Sequence, residues 1–169
     1  MKLNEAKQQF IQSWGVLGGQ WGINRTMAQV HALLLVAEKP LTTDEIMDEL
    51  SISRGNTNMN VRELINWNLV ERTLIQGDRK EYFVAEKDIW KVATCIMYQR
   101  KKRELDPMLK VLEKLANVDD DKQEIEAITS FKSTISGIQK FAGQAEKTLD
   151  TVIKAEENWF WGNFMKLFK

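Results

Sequence analysis

Leu3, Ala6, Phe10, Trp14 and Leu17 recur every three or four positions, the period of an amphipathic helix. Gly18-Gly19 is expected to end that helix. A second apolar series, Met27, Val30, Leu33, Leu34 and Ala37, predicts another helix, capped by Asn24 or Thr26 and closed by Pro40. The third helix start is written more sharply. Thr42-Thr43-Asp44-Glu45 fits a capping box, with Leu41 and Ile46 as its hydrophobic staple. That helix covers about residues 43–50, with Ile46, Met47 and Leu50 inward. Ser51-Ile52 then forms a turn, and Ser53 can cap the next helix.

In that next helix Thr57, Val61 and Leu64 make the inward stripe, and Asn68 falls where a left-handed residue stops it. Residues 70–75 and 80–84 read as strands around the turn Gln76-Gly77-Asp78-Arg79, which together make a β-hairpin. Helix, turn, helix and hairpin in this order form a winged helix. Asp88 can cap a long helix bearing Ile89, Val92, Ala93, Ile96 and Met97. Pro107 kinks it or restarts it with Asp106 as cap, and Leu105, Met108, Leu109, Leu112 and Leu115 continue the stripe. After a polar linker at 117–121, Ile128, Phe131, Ile135, Ile138, Ala142, Ala145, Leu149 and Val152 alternate steps of three and four. That is the a/d pattern of a coiled coil. With Leu3 and Phe10, it is expected to form a dimer interface; packing against the chain's own N-terminal helix is the alternative.

The expected fold is therefore mainly α with a small β-hairpin wing: a winged helix-turn-helix with N- and C-terminal dimerisation helices. Residues 1–23 are the N-terminal helix, 24–87 the winged helix, and 88–169 the long helical region with an aromatic tail.

Composition narrows the function. The 169 residues are 43% hydrophobic and 28% charged, ordinary for a folded soluble domain. The longest apolar run, residues 32–37, is too short to cross a bilayer. MKLNEAKQQF lacks an apolar export core, and one cysteine gives no internal disulfide framework, so a cytoplasmic protein is expected. Net charge is zero, but residues 54–103 hold 11 Lys/Arg against 6 Asp/Glu. A local basic island of this kind is what a DNA footprint requires.

The helix opened by Ser53 carries the candidate chemistry. On a helical wheel Gly55, Met59 and Arg62 point away from the inward stripe, flanked by Asn56 and Asn60 on one side and Asn58 on the other. Asn can pair bidentately with adenine, Arg with guanine, and Met can touch a thymine methyl. Gly55 allows close approach of the backbone, while Ser53, Arg54 and Asn58 suit phosphates. Arg79 and Lys80 on the wing suit the minor groove, and Arg72 a phosphate. Arg100-Lys101-Lys102-Arg103 is a further basic run, read as a solvated face or a backbone contact. Trp67 and Trp90 are expected to brace the winged helix. Trp14 and Trp21 suit the dimer core, or a cage for a cationic effector. The tail's Trp161, Phe164, Met165 and Phe168 suggest a short helix capping the dimer, with a membrane-surface anchor as the rival.

Enzyme signatures do not occur in the sequence. His31 lies in an apolar helix, no Cys/His cluster suits zinc, and no phosphate-loop or dinucleotide glycine pattern is written. No metal or cofactor is expected, and Cys95 reads as a small hydrophobe.

The ordered motifs WGINR (21–25), PLTTDEI (40–46), SRGNTNMNVRELINWNLV (53–70) and GDRKEYF (77–83), with Trp90 following, resemble the GbsR-type branch of the MarR superfamily. The resemblance covers roughly residues 10–115. It implies a winged-helix transcriptional regulator that binds double-stranded operator DNA as a homodimer; some members are repressors linked to choline and glycine betaine, and a repressor is expected here. Gly55, Asn56, Met59, Asn60, Arg62, Glu63 and Leu64 match the family's reading helix, while Arg54 stands for Lys, Asn58 for Ser and Asn68 for Gly. The rival functions are a winged-helix protein-interaction module and a small-ligand sensor without strong DNA binding.

Overall fold

The computed structural model describes residues 1–118 and 125–154. The aromatic tail and part of the 117–121 linker lie outside them. Two compact units divide the chain, Met1–Val92 and Ala93–Lys169.

In the first unit, α1 (Leu3–Gln20) packs along α2 (Arg25–Val36). The expected stop at Gly18-Gly19 is corrected: α1 runs through both glycines to Gln20, with Trp21 as its C-cap and Gly22 at φ +75°. Its buried positions are Ile11, Gly15 and Gly18, one residue later than the expected stripe. Leu3 and Ala6 are exposed, while Phe10, Trp14 and Leu17 lie half-buried beside the contact. The glycines explain the shift. A Cβ on Gly18 would lie 2.6 Å from the Ala28 Cβ, and one on Gly15 2.5 Å from the Gln29 Cγ. The helix backbones approach closely here, which only small residues permit.

Asn24 caps α2 by accepting from the Met27 amide at 3.1 Å. The far end of α2 is held by a residue the sequence did not point to. Lys87 Nζ donates to the backbone oxygens of Leu34, Leu35 and Ala37 at 2.7, 2.6 and 3.1 Å. An ammonium there satisfies helix-end carbonyls and opposes the negative end of the helix dipole.

Leu41–Thr42 form β1, a third strand that the sequence reading missed because two residues carry no period. It pairs antiparallel with β3 (Glu81–Ala85), Leu41 opposite Phe83, and β3 pairs with β2 (Val70–Leu74) in the order β1-β3-β2. The Thr42 capping box stands as expected at the start of α3 (Thr43–Leu50). The Thr42 amide donates to Glu45 at 2.8 Å, and the Glu45 amide to Thr42 Oγ1 at 3.3 Å. Ser51 takes φ 53° and Asn68 φ 57°, the left-handed stops that end α3 and α4 (Arg54–Asn66). Ile46, Val61, Leu64, Trp67 and Val70 fill the core. Burying each large side chain stabilises by about 1.5–3 kcal/mol. Trp90, expected to brace this core, is instead exposed.

The second unit holds most of α5 (Ile89–Arg100), a π-helical segment (Lys101–Leu105), α6 (Asp106–Ala116) and α7 (Ile125–Lys154). Asp88 caps α5 through the Trp90 amide at 2.9 Å. Pro107 stands in the first turn of α6, which starts as a new α-helix directly after the π segment, with Leu105 and Asp106 both in helical geometry. Asp106 makes no cap and pairs with Lys101 at 3.3 Å. Lys101 also reaches Glu146 at 3.1 Å and Asp150 at 3.4 Å, and these carboxylates, Glu146 foremost, raise its pKa. Leu112 of α6 packs with Ile135 and Ala142 of α7, flanked by Leu105, Leu109 and Ala116.

His31 is buried near the Trp14 ring, with centroids 6.3 Å apart, and its Nε2 has no hydrogen-bond partner. Burial first, and the Lys87 ammonium second, push its pKa down to about 4.

Two predictions follow from this packing. Gly18→Ala should destabilise by about 1 kcal/mol, since overpacking outweighs the gain in helix propensity. Gly19→Ala, whose Cβ meets nothing within 4 Å, should stabilise by about 0.5–1 kcal/mol; urea melts of both variants check the opposite signs. A histidine held neutral adds stability that is complete above the unfolded pKa near 6.5 and drains as pH falls toward 4. The loss should reach at most about 3 kcal/mol. His31 is the sole histidine, so His31→Gln should flatten the pH 5–6.5 part of that profile.

Candidate nucleic-acid interface

Ser53 caps α4, its Oγ accepting from the Asn56 amide at 3.3 Å, while its carbonyl receives the Thr57 hydroxyl at 3.1 Å. With Thr57, Val61 and Leu64 buried, the opposite side of α4 meets solvent. Arg54, Gly55, Asn58, Met59 and Arg62 are exposed there, Met59 at 58%, and Asn56 is half-buried. A Cβ on Gly55 would meet nothing within 4 Å, so that backbone is open to approach.

Asn60 is the exception. Expected on the outward face, it is 3% exposed. Its Nδ2 donates to the Asn56 backbone oxygen at 2.8 Å and to Asn56 Oδ1 at 2.7 Å. The reason is the helical period: residue 60 lies three after Thr57 and four before Leu64, inside the buried stripe. A buried amide needs partners, and Asn56 supplies them one turn back.

Two further side chains tie α4 to α3. Arg54 forms an ion pair with Asp44, and the Thr43 hydroxyl donates to Asn58 Oδ1 at 3.4 Å. Lys39 and the Thr42 amide together hold the Glu45 carboxyl down to about 2, so this first turn of α3 stays anionic.

The wing is organised by Asp78. Its amide donates to the Ile75 carbonyl at 3.0 Å across a turn in which Gly77 has φ +88°, a conformation that favours glycine. One carboxylate oxygen accepts from the Lys80 amide at 2.9 Å, the other from the Tyr82 hydroxyl at 2.7 Å. The Tyr82 hydroxyl, then the Lys80 amide, lower the Asp78 pKa. The tip is thereby fixed, with Arg79 and Lys80 exposed upon it.

The basic island is largely answered within the protein. Arg72 pairs with Glu81 at 2.8 Å, Lys91 with Glu86 at 3.7 Å, and Arg100 with Glu104 at 3.0 Å. Lys101 of the basic run is turned onto its three carboxylates. By contrast, among the described residues the side chains of Arg62, Arg79, Lys80 and Lys102 have neither an ion pair nor a hydrogen bond. The first three stand on α4 and on the wing, and Lys102 on the π-helical segment.

In the second unit the a/d row of α7 is split. Ile135 and Ala142 are buried with Leu112 of the same chain; Ile128, Ala145, Leu149 and Val152 are half-buried; Phe131 and Ile138 are exposed. Within its own unit this row packs on α6.

Comparison with known proteins places these features. Residues 21–81 match the model of the MarR family. The HTH-type transcriptional repressor GbsR of Bacillus subtilis (strain 168) is 28% identical over 111 residues, 66% of this chain and 61% of the relative. The HTH-type transcriptional repressor OpcR of the same organism is 22% identical over 63% of this chain and 65% of its own length. The putative HTH-type transcriptional regulator YvaV is 24% identical over 52% and 50%. The chain thus spans between half and two thirds of these curated relatives. A crystal structure of a transcriptional regulator shares the fold, with a TM-score of 0.52, 18% identity, and coverage of 86% of this chain and 99% of that one.

Proposed function

We propose that this chain, a member of the MarR family through its winged helix, is a homodimeric repressor of transcription that reads operator DNA. In this reading α4 enters the major groove, where Asn56, Met59 and Arg62 meet base edges. Ser53, Arg54, Gly55 and Asn58 settle the helix start against phosphates. Arg79 and Lys80 reach the minor groove or backbone from the wing, and Arg72 supports them by leaving Glu81 for a phosphate. Asn60 moves from base reader to the support of Asn56, since its amide is buried.

One observation carries the reading: within a basic island mostly neutralised by its own carboxylates, the unpaired Arg62, Arg79 and Lys80 stand on the outward face of α4 and the wing. A dimer would bring two such surfaces to two half-sites. The exposed Leu3, Phe131 and Ile138, with the half-buried Phe10, Ile128, Ala145, Leu149 and Val152, supply its interface, since exposed apolar rows of this extent favour cover. Ile135 and Ala142 support that interface from beneath. The cytoplasm is the compartment this role requires, and a small-molecule effector would set the affinity for DNA.

Arg79→Ala should weaken operator binding and reduce the slope of log affinity against log salt by about 1. Gel shifts titrated with salt measure both, and an unchanged slope and affinity would remove the wing from the interface. Selection of bound DNA from a random pool should return a palindrome. Single, asymmetric sites would contradict dimeric reading.

A further inference from the structure

Asn56 sits in the first turn of α4, the part of a reading helix that approaches bases most closely. An asparagine amide offers an oxygen acceptor and an NH2 donor. Adenine is read when both are available side by side, the oxygen taking the N6 amino hydrogen and the NH2 donating to N7. Here one of the oxygen's two lone pairs is already engaged. Asn60 Nδ2 lies 2.7 Å from Asn56 Oδ1 and 2.8 Å from the Asn56 carbonyl oxygen. Turning the Asn60 amide over would set oxygen against oxygen at both contacts. Turning the Asn56 amide over would set two NH2 groups against each other. The pair therefore has one satisfied arrangement, and burial of Asn60 makes departure from it costly. In that arrangement the Asn56 Nδ2 has no partner among the described residues.

We infer that Asn60 is a positioning residue for base reading: by holding the Asn56 side-chain oxygen it leaves the Asn56 NH2 as the group presented to the groove, so Asn56 selects guanine rather than adenine. Guanine fits because its major-groove edge carries two adjacent acceptors, N7 and O6, and no donor. Adenine offers that donor N7 alone, and its N6 amino group would have to share an oxygen that already holds Asn60. This rests on the reading of α4 as the DNA-reading helix and goes further, naming the base class and the residue that enforces it.

Selection from a random DNA pool with the wild-type chain and with Asn56→Ala identifies the pair that Asn56 reads, as the position whose preference the variant loses. A G·C pair is expected there. Replacing its guanine by 7-deazaguanine, which lacks the N7 acceptor, should weaken wild-type binding about tenfold. Asn60→Ala should loosen the preference at that one pair while the others keep theirs; its melting transition checks that it folds. Should it not fold, the wild-type selection and the 7-deazaguanine measurement decide alone. An A·T pair, no position lost in Asn56→Ala, indifference to 7-deazaguanine, or an Asn60→Ala that folds and weakens all sites evenly would each overturn the inference. Enrichment of no sequence at all would defeat the DNA-binding reading and take this inference with it. Enrichment of a site with A·T at that pair would leave the broader reading standing.

Discussion

Burial of Thr57, Val61 and Leu64 fixes the rotation of α4 about its axis, and that rotation decides which side chains meet solvent. A turn of 100° per residue leaves little freedom once three positions are committed to the core. Ile46 beneath, Trp67 at the far end and the left-handed Asn68 hold the setting. Gly55, Met59 and Arg62 are outward as a consequence, and Asn60 inward. The wing follows from the same core, since Val70 and Phe83 are anchored in it while Arg79 and Lys80 are not.

Electrostatics then sorts the surface. Exposed ion pairs contribute little to stability, so Arg72–Glu81 or Arg100–Glu104 matter less as supports than as neutralisers. They lower the positive charge of the surface around them. Arg54 is intermediate: its partner Asp44 stands beside a Glu45 kept ionised by Lys39 and the Thr42 amide. In the proposed reading, a phosphate near the start of α4 would compete with a carboxylate for Arg54, and recognition would depend more on contacts that a base can complete.

The winged helix was legible because its signals are local and chemical. The Thr42 box, the Ser53 cap, the Asn68 stop and the glycine turn each name a backbone geometry that one residue type serves best. Where the reading missed, the cause lay in packing across distance. Gly18 looks like a helix end when only chain neighbours are considered; Ala28, ten residues on, shows it to be a contact. Lys87 caps a helix some fifty residues earlier, which no local pattern encodes. Asn60 could have been placed by the period, yet its polarity drew it to the surface in a reading that ranked residue type above position. The a/d row of α7 was legible as apolar. Its division between α6 and open surface was not, because one seam can serve an own-chain or a foreign partner with the same spacing.

The clasp of Lys87 on the end of α2 has a consequence for how the chain is made. Leu34 and Lys87 are 53 residues apart, and β1 finds its partners in Phe83 and Tyr82. A ribosome adding about 5–20 residues per second needs roughly 3–10 s to bridge that interval. During it, α1 and α2 can form from their own contacts, but the carbonyls at the end of α2 stay open to water and Leu41–Thr42 is an unpaired edge. The end of α2 and the strand β1 therefore find their partners only when the segment after the wing emerges.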